Sequence, residues 1–171
     1  MKKIIIAAVV AIMGLTNIDA QTTFKFGNVD SQEILFELPE TKQAQKELED
    51  LQSKYESQIA TMGEEFQKKY AELQAQADSL PQAIVEARYQ EVQQLQDRIQ
   101  NFQQMAQRDY QQQQQAKIAP IMEKIAKAIQ TVGEREGFTY IFQMAANGIA
   151  YFDPKTTVDV APLVKKELGI K

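Results

Sequence analysis

Between Leu48 and Tyr110 the apolar residues recur at steps of three and four. Leu48, Leu51, Tyr55, Ile59, Met62, Phe66, Tyr70, Leu73, Ala77 and Leu80 form one run. Val85, Tyr89, Val92, Leu95, Ile99, Phe102, Ala106 and Tyr110 form a second. The mean step lies between the heptad and the straight-helix value, so each run is a narrow stripe that faces one partner. The first long helix can start at Glu40-Thr41, just after Pro39 interrupts a shorter one. It ends at Ser79-Leu80-Pro81, where proline disfavours helical geometry in the residue before it and has no amide to donate. Pro81 then suits the first turn of the next helix. A connection this short admits only an antiparallel neighbour. The expectation is an α-hairpin with its tip near Pro81, reaching about 60 Å at 1.5 Å per residue.

The hairpin sits between two apolar, strand-like ends. Phe24 to Val29 alternates, with Phe24, Phe26 and Asn28 on one side and Lys25, Gly27 and Val29 on the other. Asp30-Ser31 offers an N-cap for a short helix through Ile34, Leu35 and Leu38. After the hairpin, Gln111 to Gln115 breaks the stripe; glutamine is a good helix former, so a solvated helical turn is expected rather than a disordered break. Ile118, Ile121, Met122, Ile125, Ala128, Ile129 and Val132 widen the apolar face, and Pro120 should kink the helix there. Gly133 and Gly137 should end it. Phe138 to Phe142 reads as a strand, Asn147-Gly148 as a tight turn and Ile149 to Phe152 as a second strand. Pro162 can open a last helix that Gly169 stops. The fold class expected is α+β, mainly α: a small β-rich oligomerisation body with a long antiparallel, coiled-coil-like arm.

The first twenty residues read as a secretory signal peptide. Met1-Lys2-Lys3 is a positive start, Ile4 to Leu15 a short apolar stretch, and Thr16 to Ala20 a polar tail ending in a small residue. A membrane anchor would need about 20 apolar residues. Cleavage after Ala20 leaves 21–171 as a single domain, with a body of 21–43 and 117–171 and an arm of 44–116. The chain is expected in the periplasm and not as an integral membrane protein; contact with a membrane surface would be transient.

Composition removes much chemistry. The chain has no Cys and no His, which excludes disulfides, Cys nucleophiles, Ser-His-Asp triads and the usual zinc sites. The net charge of −4 does not suit nucleic acid. No Gly-rich phosphate loop is present. The acidic neighbours Glu64-Glu65 and Glu47, Glu49 and Asp50 lie on a helix with no cleft to raise a pKa, so a solvated face is the better reading than catalysis. No catalytic, cofactor or metal residue is expected, and the chain is not expected to be an enzyme.

Two other readings remain. Tyr55, Phe66, Tyr70, Tyr89, Phe102 and Tyr110 are first of all the seam between the helices. A two-helix seam is thin, so its edges also form a candidate client-binding strip, with Met62, Ile84 and Met105 at or beside the margin. A small sheet carrying a long lever has little core of its own, so the ends should join subunits; Phe26, Val29, Ile141, Phe142 and Tyr151 are the candidates.

These pieces together resemble the Skp/OmpH-like family of periplasmic chaperones. The resemblance rests on Lys25-Phe26-Gly27-Asn28-Val29-Asp30, the Glu/Gln/Lys hairpin, Ile118 to Ile125, Val132 to Phe142, and Tyr151-Phe152-Asp153-Pro154 with Val158-Asp159-Val160. It implies a homotrimer whose arms enclose a cavity that holds unfolded outer-membrane proteins without ATP. Well-known members have positively charged arms, whereas this arm is mildly acidic; no lipopolysaccharide site of Lys and Arg is carried over. The alternative is a coiled-coil envelope spacer or docking rod without chaperone activity.

Overall fold

The computed structural model describes residues 24–144, 149 and 151–170. The signal-peptide expectation and the Asn147-Gly148 turn lie outside these residues. Strand β1 (Phe26–Val29) leads through Asp30 into α1 (Ser31–Glu37). The Asp30 carboxylate accepts the backbone N–H groups of Gln32 and Glu33, satisfying two of the donors that a helix start leaves free. Leu38 is extended, as the residue before proline should be, and Pro39 opens α2 (Pro39–Gln76). The N–H groups of Ser79 and Leu80 both close on the Gln76 carbonyl. The helix therefore ends earlier than expected, and Pro81 is the cap of α3 (Gln82–Glu136) rather than its first-turn residue.

Helix α3 takes in the glutamine run and runs through Pro120 as one element. Gly133, expected as a terminator, is also inside it. The stop is Gly137 alone, in the left-handed region at φ 70°, where the Phe138 N–H returns to the Gly133 carbonyl at 2.9 Å. Strand β2 (Tyr140–Gln143), strand β3 (Thr157–Asp159) and helix α4 (Ala161–Glu167) complete the chain.

The sheet has the order β2-β1-β3, and both neighbours run parallel to β1. This corrects the expected second strand at Ile149 to Phe152: the described residues of that run are not in a strand, and Thr157–Asp159 takes the place. Parallel pairing is the cause. A chain leaving β2 must return to the starting end of the sheet before it can pair again in the same direction. Ile149, Tyr151 and Phe152 lie in that return, which the Asp153 carbonyl closes by accepting the N–H groups of Thr156 and Thr157.

Two apolar regions hold the molecule together. The larger is where the sheet, α1, α4 and the bases of both long helices meet, with Val29, Ile34, Leu38, Ile125, Val132, Val160 and Val164 almost fully buried. Gly27 is needed there, since a Cβ would stand 2.9 Å from a Val160 methyl and 3.1 Å from the Phe138 ring. The smaller is the α2–α3 seam, where Leu48, Met62, Leu73, Val92, Leu95 and Ala106 are buried. By rise per residue, α2 alone is about 57 Å long.

Candidate functional site

Among the described residues, the features that stand out are an uncovered sheet face and the long hairpin. Alternation along β1 turns Gly27 and Val29 to the helices and Phe26 and Asn28 outward. The register aligns Phe26 with Tyr140 and Thr157, and Asn28 with Phe142 and Asp159, so the outer face carries these six side chains in two rows. Phe26 lies 6.3 Å from Tyr140 and 6.2 Å from Phe142 between ring centres, and Phe24 extends the stack at 6.4 Å. Tyr140 remains 61% exposed and Phe142 40%. Beside them the return segment lays Ile149, Tyr151 and Phe152 around a hollow of about 300 Å³ that also touches Phe26, Phe142, Met144 and Thr157.

Of the candidate assembly residues, Phe26, Phe142 and Tyr151 belong to this face. Val29 does not: it is 2% exposed and sits in the chain's own core, on the opposite side of the pleat. Ile141 is half-buried and packs inward against the same core. Phe24, Tyr140 and Phe152 were left out of the sequence-based set, although Phe24 and Tyr140 share the pleat side of Phe26 and that parity could have found them.

The arm divides its aromatic residues between seam and surface. Tyr55 and Phe102 meet edge to face at 6.0 Å, and the Tyr55 hydroxyl donates to the Asp109 carboxylate across the helices at 2.5 Å. That bond holds the phenol's pKa above its usual value. Phe66 and Tyr70 stack at 5.9 Å. Tyr70, Ile84, Tyr89 and Met105 are exposed. Met62 is not a marginal residue: it is buried in the seam, because it lies on the centre line with Leu48 and Leu73, whereas Met105 lies off it.

Ion pairs cross the hairpin from base to tip. Lys124 pairs with Glu40, Lys117 with Glu47 at 2.5 Å, Arg98 with Glu65 at 3.6 Å, and Lys69 with Glu91 at 2.5 Å. The lysine hydrogen bonds hold the Glu40, Glu47 and Glu91 carboxyls below their ordinary range, and the Glu91 bond raises Lys69. Among the described residues no group of three or more acidic side chains is placed to hold a metal ion, and no helix is long and apolar enough to cross a membrane.

Comparison with known proteins decides the family. The family model described as outer membrane protein (OmpH-like) matches residues 25–168. The chain belongs to the OmpH-like family. A solved OmpH-like structure from Caulobacter crescentus CB15, provisionally named as an outer membrane chaperone, superposes with a TM-score of 0.73 at 13% identity. The superposition covers 85% of this chain and 83% of that one. No curated protein sequence matches. The OmpH-like fold is thus the small three-stranded body and the long hairpin, and it is mainly helical.

Proposed function

We propose that this OmpH-like protein is an ATP-independent holdase of the periplasm that binds unfolded outer-membrane proteins between helical arms and prevents their aggregation. The observation that carries the reading is the pairing of a bare aromatic sheet face with a projecting hairpin. Parallel sheets are found almost only where both faces are covered. Here one face rests on the helices and the other presents Tyr140 and Phe142 to solvent beside the half-buried Phe26. Copies of the same chain are the economical cover, placed against this face and the free edges of β2 and β3. The number three rests on the family resemblance. The division of labour follows: residues 21–43 and 117–171 assemble, and residues 44–116 hold the client. Tyr70, Ile84, Tyr89 and Met105 offer exposed apolar contact, and the partly buried Tyr55, Phe66 and Phe102 shape the seam beneath. The name of the Caulobacter crescentus protein supports a chaperone role.

Export would remove residues 1–20, so the mature mass should begin at Gln21; an intact mass that retains them sinks the assignment to the periplasm by this route. Activity is tested by light scattering when an unfolded outer-membrane β-barrel is diluted from urea with and without the mature protein. Scattering should fall without ATP. Unchanged scattering, with binding to one folded partner instead, would make the hairpin a docking rod.

A further inference from the structure

The two flanks of the arm differ. At about 100° per residue, Glu65 and Lys69 of α2 fall on one side of the seam line, and Gln52, Glu56, Ile59 and Tyr70 on the other. On α3, Glu91 and Arg98 share the first side, and Tyr89, Gln103, Gln107 and Tyr110 the second. The contacts agree with this division. The first flank is closed by the Lys69–Glu91 and Arg98–Glu65 pairs around a polar hollow. The second holds an apolar groove of about 330 Å³ floored by Tyr55, Ile59, Ala106 and Tyr110 and rimmed by Gln52, Glu56, Gln103 and Gln107.

Charge follows the same line. Residues 44–116, all described, carry twelve Asp and Glu against seven Lys and Arg. At the same 100° per residue, those cations fall in the seam, on the ion-paired flank or on the outer backs of the helices; Arg88, in the seam near the tip, is held by Gln76 at 2.6 Å. The apolar flank carries Glu49 and Glu56 and no cation.

We propose that this flank is the docking surface for client, and that it selects extended segments whose aromatic or aliphatic residues are flanked by Lys or Arg over the same segments flanked by Asp or Glu. The proposal rests on the holdase reading. An apolar side chain enters the groove, its neighbours meet glutamine amides and carboxylates, and no ammonium or guanidinium is present there to receive an acid. The opposite flank offers ion pairs already closed on each other.

The test uses the full mature protein and two fluorescein-labelled peptides with one aromatic core, flanked by lysines or by glutamates. Anisotropy should give the lysine peptide about fivefold tighter binding at low salt, with the ratio falling towards one at about 1 M salt. Gln103→Lys with Gln107→Lys, both exposed rim positions, should reverse or abolish the preference. Gln94→Lys, on the ion-paired flank, should leave it unchanged. An equal or tighter glutamate peptide overturns the proposal, as does an equal shift from Gln94→Lys. If neither peptide binds but an unfolded β-barrel is still protected, this flank assignment alone fails. If nothing unfolded is held, the holdase reading fails with it.

Discussion

Replacing Tyr140 and Phe142 together by Ser should dissociate the proposed oligomer and leave the chain folded. In the single chain these side chains are 61% and 40% exposed, so they contribute little to its own core. Aromatic side chains of this size offer about 200 Å². Covering them by a neighbouring copy would remove about 120 Å² and about 80 Å² from water, worth about 3 and about 2 kcal/mol at 25 cal/mol per Å². The double variant therefore loses about 5 kcal/mol of association per protomer, a factor of several thousand. Val29, Val132 and Val160, which lie on the other side of the sheet or beneath it, are untouched. Sedimentation velocity from about 1 to about 100 µM, with far-UV circular dichroism on the same samples, reads both quantities. A variant that sediments like the wild type shows that the outer face is not the contact. A wild-type chain that stays monomeric and folded at the highest concentration refutes the need for cover.

Gly63 stands inside α2 with nothing within 4 Å of where a Cβ would be, so Gly63→Ala should stabilise by about 1 kcal/mol; lower stability in urea unfolding would reveal a need for glycine. The Thr41 hydroxyl is buried without a partner, so Thr41→Val should leave stability unchanged or raise it by about 1 kcal/mol, and a clear loss would mean that the hydroxyl is bonded. The depressed carboxyls of Glu40, Glu47 and Glu91 stabilise above the ordinary value of 4.5 and lose that effect as pH falls through their folded values. Lys165, whose ammonium donates to the Glu37 carboxylate at 2.8 Å and to that of Glu33 at 3.0 Å, is raised like Lys69; both stabilise fully below 10.5 and lose it only above. Thermal midpoints should therefore be level from about pH 6 to about pH 9 and fall in acid, and a steep slope inside that window would contradict the assignment.

The hairpin was legible because its cause is local: stripes at steps of three and four need one partner, and Pro81 leaves room for only one. Glycine and proline marked most stops, although Gly133 and Gly137 look alike in sequence and only Gly137 takes a positive φ. The sheet was less legible because its cause is distant. Thr157-Val158-Asp159 is too short and polar to read as a strand; it becomes one because β1 has a free edge beside it. Ile149 to Phe152 has stronger strand composition, but its described residues Ile149, Tyr151 and Phe152 lie where the chain must return. Alternation separated Phe26 from Val29 but could not say which side the helices cover. The spacing already separated Met62, a member of the stripe, from Met105, which lies off it, and the packing follows that division: the first is buried and the second exposed.

Sedimentation and client protection of a protein in which a short turn replaces Gln45 to Gln115 test the division between arm and body most directly. The core residues Val29, Ile34, Leu38, Ile125, Val132, Val160 and Val164 all lie outside the replaced stretch. The shortened protein should still form the oligomer, and it should no longer suppress scattering by an unfolded outer-membrane β-barrel. Full protection without the arms would contradict the proposal that they hold the client. Loss of assembly would show instead that the helices help to build the oligomer.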